Sequence, residues 1–484
     1  MATKTVNETT NAFQGAEAVA PSQPAAAAQK WQPVIAAFIC NWCTYAGADM
    51  AGTTRRVYPA TVRPLRVPCT GRIDPLLVVK AFEQGADGVI VSGCHPGDCH
   101  YVQGNMVARR RFAALRALLE FLGLDVRRLH FAWVSASEGM KWSHLVGEVT
   151  AAVREAGPFQ GWGASGEPHR VPVSLPEPPA PPRGTPRPED QQATAEHLQR
   201  LAAKLLDEGL VTTVIGYAAG SLPPQMVPAF ATCADDARTL GWNEHCVNNL
   251  AVYLPAAQRQ GGKTAIVAKQ CDARSVVGLL QENQVKRESV VLIGVSCPGV
   301  VVDGKLALKC YSCDGEAASV CDWTVTPEGA QPGAQNSGAR RAVAADPREA
   351  LIGFLEALPA ADRWAYWQRQ FAHCLRCYGC RAVCPLCYCS VCIAEKNRPQ
   401  WIPVTIDAKG NMTWNVIRAL HLAGRCGSCE ECTRVCPAGV RLDLINHRLA
   451  MEIEKRFGYH SGDDPGAAPP LVTFRPDDAG EFVR

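Results

Sequence analysis

From residue 34 onward, short apolar runs alternate with stretches in which apolar residues recur at helical spacing. VIAAFIC, TVRPLRVPC, DGVIVSGC and HFAWVSA read as strands; DPLLVVKAFEQG and ARRRFAALRALLEFLG read as helices. Regular alternation of the two predicts a parallel, doubly wound sheet. The pattern returns in KTAIVAKQCDARSVVGLLQENQVKRESVVLIGVSC. TAIVAKQ is a strand, ARSVVGLLQENQ a helix capped by Asp272, and SVVLIGVSC the next strand. VVDGKLALK then reads as a short hairpin, and WNVIRALHLAG and LDLINHRLAMEIEKRFG as helices.

Two Pro- and Gly-rich stretches interrupt this pattern, at 157–190 and 326–344, and read as linkers. They divide the chain into units at 33–156, 191–325 and 345–460, with a flexible leader at 1–32 and a loose tail at 461–484. The expected fold class is multidomain α/β plus ferredoxin. It comprises a doubly wound parallel-sheet domain, a second α/β domain and a mainly helical C-terminal dicluster domain. Gly161, Gly163 and Gly166 match G-x-G-x-x-G, but they sit in the first linker with no strand before them, so the match reads as chance composition.

Composition changes the picture at one residue type. The 484 residues include 23 cysteines, an odd number that internal disulfides cannot all satisfy. The N-terminus shows no secretory pattern and no apolar run approaches a membrane span, so a reducing cytoplasm is expected. There, a cysteine-rich chain is metal-binding or catalytic more often than disulfide-stapled. A net charge of +3 points to neither nucleic acid nor an anionic membrane. No hydrolase triad, P-loop or H-E-x-x-H stands out.

In the first unit Cys40, Cys69 and Cys94 fall where strands end, on the sheet edge where ligands gather, with Cys43 and Cys99 in the loops just beyond. A metal centre is expected there, although four thiolates would equally suit zinc. His95 and His100 are either ligands or supporting groups. The triplet Arg109, Arg110, Arg111 reads as the solvated face of a helix. CNWCTYAGADMAGTTRRVYP, PCTGRIDPLLVVKAFEQGADGVIVSGCHPGDCHY and WVSASEG closely resemble the delta subunit of methyl-viologen-reducing hydrogenase. The resemblance implies a [2Fe–2S] cluster, held among Cys40, Cys43, Cys69, Cys94 and Cys99. It also implies electron delivery to a heterodisulfide-reductase flavoprotein subunit. Five candidates exceed the ligand set of one cluster, so one is a bystander.

In the second unit Cys271 and Cys297 end successive strands, and Cys310-x2-Cys313 follows the hairpin, so four thiolates converge. GYAAGSLP, CVNNLAVYL, KQCDARSVVGLLQENQ, IGVSCPGVV and CYSC resemble the beta-subunit family of deazaflavin-reducing hydrogenases and formate dehydrogenases. This resemblance implies a [4Fe–4S] cluster on Cys271, Cys297, Cys310 and Cys313, and in several members FAD. Cys233, Cys246 and Cys321 read as structural, with Cys246 also a candidate ligand.

The third unit carries the strongest motif. Cys374-x2-Cys377-x2-Cys380-x3-Cys384-Pro385 recurs as Cys426-x2-Cys429-x2-Cys432-x3-Cys436-Pro437. In ferredoxin-type pairs the fourth cysteine of each motif serves the other cluster. One [4Fe–4S] is therefore expected on Cys374, Cys377, Cys380 and Cys436, and another on Cys426, Cys429, Cys432 and Cys384. The surrounding helices resemble the ferredoxin domains of heterodisulfide-reductase and succinate-dehydrogenase families. Cys387, Cys389 and Cys392 are left over, for a further centre or for packing beside these clusters.

The expected function is an electron-transfer subunit of an oxidoreductase complex, with no complete substrate chemistry of its own. It would join a hydrogenase, formate dehydrogenase or other reductase to a heterodisulfide-reductase-like flavoprotein in anaerobic metabolism. The alternative is an FAD-dependent oxidoreductase subunit reducing a soluble carrier such as a deazaflavin or ferredoxin.

Overall fold

The apolar run that begins at Val34 becomes β1 (Ile35–Cys40), every residue of it buried. A computed structural model describes residues 31–163, 173–181, 187–318, 320–333 and 344–484. The expected leader up to residue 30, and much of both expected linkers, lie outside these residues. After β1 come α1 (Thr44–Thr53), β2 (Val62–Val67), α2 (Pro75–Glu83), β3 (Gly88–Gly93), α3 (Gly104–Leu122), β4 (Leu129–Trp133) and α4 (Gly139–Ala156). The four strands form a parallel sheet in the order β2-β1-β3-β4. Its central strands are buried on both faces; β2 is an exposed edge, where Pro64 is tolerated. α1 and α4 cover one face, and α2 and α3 the other. Asp74 opens α2 by accepting from the Leu76 amide at 2.8 Å, with Pro75 at the first helical position.

α5 (Pro188–Asp207) leads into the second sheet. That sheet contains β5 (Thr213–Ala219), β6 (Met226–Ala231), β7 (Thr264–Ala268), β8 (Val290–Val295), β11 (Trp323–Thr326) and β12 (Gly329–Pro332). The order is β12-β11-β8-β7-β5-β6, with β11, β8, β7 and β5 parallel and an antiparallel strand at each edge. Between these strands lie α6 (Ala234–Ala237), α7 (Leu254–Gln260) and α8 (Gln270–Gln281). The hairpin is present as β9 (Val301–Val302) and β10 (Lys305–Leu306). Two expectations shift here. Cys271 lies in the first turn of α8 rather than at the end of a strand, because β7 stops at Ala268. Asp272 does not precede the helix; it occupies the third helical position and accepts from the Lys269 amide in a capping box.

The remaining residues are helical: α9 (Pro347–Ala357), α10 (Ala360–Ala372), α11 (Gly379–Ala382), α12 (Ala408–His421), α13 (Glu431–Arg434) and α14 (Leu442–Phe457). One apolar core joins these helices to the first sheet, with Leu118, Leu119 and Phe121 packed among Trp367, Phe371, Leu444 and Ile445. The second sheet keeps a core of its own around Ile215, Ile266 and Leu292. The start of the first linker joins the shared core too. Trp162 is buried and its indole donates to Thr413 Oγ1 at 3.0 Å.

The arginine triplet corrects an expectation. Arg109 and Arg110 are buried, not solvated, and they bind the C-terminal residues. Arg110 donates to Asp478 Oδ1 at 2.7 Å and to the Pro470 carbonyl at 3.0 Å, and Arg111 to the Leu471 carbonyl at 3.0 Å. Residues 461–484, expected as a tail, continue from there to β4. The Arg484 amide donates to the Phe131 carbonyl at 2.9 Å. No helix among the described residues is long and apolar enough to cross a membrane.

Candidate metal centres

The first sheet's carboxyl edge gathers all five of its cysteines, each buried. Cys40 ends β1, Cys43 caps α1, Cys69 follows β2, and Cys94 follows β3. The Cys40, Cys43 and Cys94 sulfurs lie within 4.8 Å of one another, with Cys40 to Cys94 at 3.8 Å and Cys43 and Cys94 at disulfide distance. Cys69 and Cys99 form a second pair at 4.0 Å. Burial, and then the Cys99 and Cys40 sulfurs, push the Cys69 thiol up to about 11. Gly104 makes room for this pair: a methyl group there would sit 2.5 Å from Cys69 Sγ and 3.6 Å from Cys99 Sγ. His95 Nε2 is held 2.8 Å from Glu138 Oε2, and His100 stacks on Trp42 with centroids 3.7 Å apart. Both histidines are therefore engaged outside the sulfur group.

Beside the second sheet, Cys297 faces Cys271 and Cys310. Burial raises the Cys297 thiol well above its ordinary range, and Cys310 and Cys271 add to it. Cys310 in turn neighbours Cys313. Backbone amides donate to sulfur here: Val300 to Cys310 and Gly315 to Cys313, each at 3.4 Å.

In the helical part, the two repeated motifs fold alike. Arg376 and Tyr378 flank Cys377 with positive φ, and Ser428 and Glu430 flank Cys429 in the same way. None of the four is glycine, so each motif holds its middle cysteine between two left-handed turns at some backbone cost. A short helix inside each motif, α11 and α13, carries the third cysteine, Cys380 and Cys432. The thiol of Cys380 is raised by burial and by Cys374, Cys436 and Cys377 as charged neighbours. Burial pushes Cys432 up to about 12, with Cys426 and Cys384 as its cysteine neighbours. Cys429 likewise faces Cys426 and Cys384. The fourth cysteine of each motif thus sits with the opposite triplet. Ser428 and Val440 amides donate to Cys426 and Cys436 sulfurs at 3.4 Å.

These four thiol groups contain only soft donors, and amide N–H groups point at several of the sulfurs. That chemistry fits iron–sulfur groups. Among the leftover cysteines, Cys387 accepts a hydrogen bond from the Cys384 thiol, Cys246 and Cys321 are buried apart, and Cys233 is exposed.

Sequence reasoning missed two cations. Lys309 donates to the Cys429 carbonyl at 2.7 Å, with Cys271, Cys310 and Cys429 among its charged neighbours. Arg418 donates to the Cys380 carbonyl at 2.8 Å. The signal was a cation inside an otherwise apolar helix (WNVIRALHLAG) and another directly before a cysteine.

The profile of the methyl-viologen-reducing hydrogenase delta-subunit family matches residues 35–157. An iron-sulfur subunit of the F420-non-reducing hydrogenase from Archaeoglobus profundus is 51% identical over 132 residues, which are 27% of this chain and 96% of that protein. The chain belongs to the methyl-viologen-reducing hydrogenase delta-subunit family. This family part also resembles a segment of one of the subunits of the ferredoxin:CoB-CoM heterodisulfide reductase from Methanosarcina mazei. That relative is 40% identical over 147 residues, 30% of this chain and 18% of the relative. A chain in a solved F420-reducing [NiFe] hydrogenase complex from Methanosarcina barkeri is 22% identical over 22% of this chain and 39% of its own, with a TM-score of 0.19.

Proposed function

We propose that this chain is an iron–sulfur electron-transfer subunit of a cytoplasmic oxidoreductase complex. Two [4Fe–4S] clusters belong on Cys374, Cys377, Cys380 and Cys436, and on Cys384, Cys426, Cys429 and Cys432. A third belongs on Cys271, Cys297, Cys310 and Cys313, and a [2Fe–2S] cluster among Cys40, Cys43, Cys69, Cys94 and Cys99. The units at 33–156, 191–325 and 345–460 then correspond to delta-subunit-like, beta-subunit-like and dicluster parts. When bound, such groups accept and release single electrons. The chain's own part is to hold the thiolates, bury them and set the charge around them.

The observation that carries this reading is the crossed arrangement in the helical part, where Cys436 neighbours Cys380 and Cys384 neighbours Cys432. Structural zinc needs no such exchange between repeats. The partner proposed for the delta-subunit-like part is a heterodisulfide-reductase-like flavoprotein, supported by its likeness to relatives of both kinds. A hydrogenase, formate dehydrogenase or other reductase would engage the rest. Anaerobic purification followed by EPR of the reduced chain tests the map. Cys40→Ser and Cys429→Ser should each remove or alter a different signal; if neither changes the spectrum, the map is wrong.

A second reading, an FAD-dependent oxidoreductase component, has one observation in its favour. A cavity of about 250 Å³ lies between Val300–Tyr311 and Cys429–Asp443, and Lys309 and Cys429 line it. Stoichiometric FAD in the purified chain would move the weight to that reading.

A further inference from the structure

Arg418 lies on the buried stretch of α12 and is 3% exposed. Its Nη2 donates to the Cys380 carbonyl at 2.8 Å, while its Nε is buried with no hydrogen-bond partner. No carboxylate among the described residues lies within ion-pairing distance of it. A guanidinium withdrawn from water without a counter-charge is costly, and removing one partner of a buried pair is strongly destabilising for the same reason. Two other buried arginines have such a counter-charge, Arg348 with Asp346 at 2.5 Å and Arg110 with Asp478 at 2.5 Å, while Arg128 and Arg376 rest on backbone carbonyls.

What surrounds Arg418 is sulfur. The ionisable groups that face it are Cys432 and Cys384 from one proposed cluster set, Cys380 from the other, and Cys387. Protonated thiols are neutral and leave the guanidinium uncompensated. Thiolates holding an iron–sulfur group carry net negative charge and supply what the carboxylates do not.

We propose that Arg418 is a fixed cation shared by the two [4Fe–4S] sites of the repeated motifs, holding the reduction potentials of both upward. The inference rests on the cluster reading given above. A positive charge in a low-dielectric interior favours the reduced, more negative state of any centre it faces, and one placed between two centres acts on both. Arg418 touches no sulfur as a ligand; it is a positioning charge.

The test is a redox titration followed by EPR on the full, anaerobically purified chain, with iron and sulfide counted in each sample. Signals are assigned beforehand with Cys380→Ser and Cys432→Ser. Arg418→Gln should retain iron and shift both signals to more negative potential, and Arg418→Lys should lie nearer the wild type. Unmoved potentials with iron intact, or a shift of one signal alone, overturn the inference. Loss of iron in both Arg418 variants marks the residue as a folding element and also overturns it. A wild-type chain without iron and sulfide would instead sink the underlying cluster reading.

Discussion

Gly104 shows how much a single position decides. Its missing side chain is the space beside Cys69 and Cys99, and an added methyl would enter it at 2.5 Å from Cys69 Sγ. Overpacking of this kind costs about 1–3 kcal/mol. Gly104→Ala should therefore lower the melting temperature modestly and remove or distort only the signal of the N-terminal centre. EPR beside thermal unfolding checks both. Asp346 supplies a pH prediction. Burial alone would raise its carboxyl, but the Arg348 hydrogen bond and charge bring it from 3.8 down to about 2. A folded value below the unfolded one contributes stability that is complete above the unfolded value and is lost as pH falls toward 2. Acid unfolding of Asp346→Asn should show a smaller loss of stability between about pH 4 and 2 than the parent chain. A variant with the parent's full acid dependence would contradict the assignment.

At the scale of elements, the strands of the first sheet with α2 and α3, and β7, α8 and β8 of the second, were legible because period and length agree in them; β5, β6, β11 and β12 were not, and β12 lies in a stretch expected as a linker. The errors come from partners that sequence does not connect. Arg109, Arg110 and Arg111 read as a solvated face because three adjacent cations normally seek water. Their partners lie in the C-terminal segment, with Asp478 placed 368 residues from Arg110. Cys271 read as a strand end because TAIVAKQC is one continuous run; the capping box of Lys269 and Asp272 starts the helix earlier. The αL turns at Arg376, Tyr378, Ser428 and Glu430 leave no trace in composition, since none is glycine. The segment from Arg475 to Arg484 is thus an integral element. Removing it leaves Arg110 buried without Asp478, a change worth about 3–5 kcal/mol for a broken buried pair. The truncated chain should unfold at a markedly lower temperature, and protease sensitivity should rise around α3; unchanged unfolding would show the pair to be dispensable.

For the whole molecule, the proposed crossed dicluster map and the two further groups were drawn from cysteine spacing. That spacing did not contain the order in which they meet. Lys309 donates to the Cys429 carbonyl and faces Cys271 and Cys310, and Arg418 faces cysteines of both repeated motifs. Cations at both junctions, rather than a continuous sequence motif, tie three of the four thiol groups into one neighbourhood. The fourth, at the edge of the first sheet, reaches the helices through the loop after Cys69, where Asp74 lies 3.7 Å from His421 at the end of α12. The proposed electron relay requires each of the four groups to hold metal. The most direct measurement is therefore the iron and acid-labile sulfide content of the anaerobically purified chain. Three cubanes and one two-iron centre predict roughly fourteen iron atoms with matching sulfide. Zinc without sulfide, or iron sufficient for a single cluster only, would contradict the account.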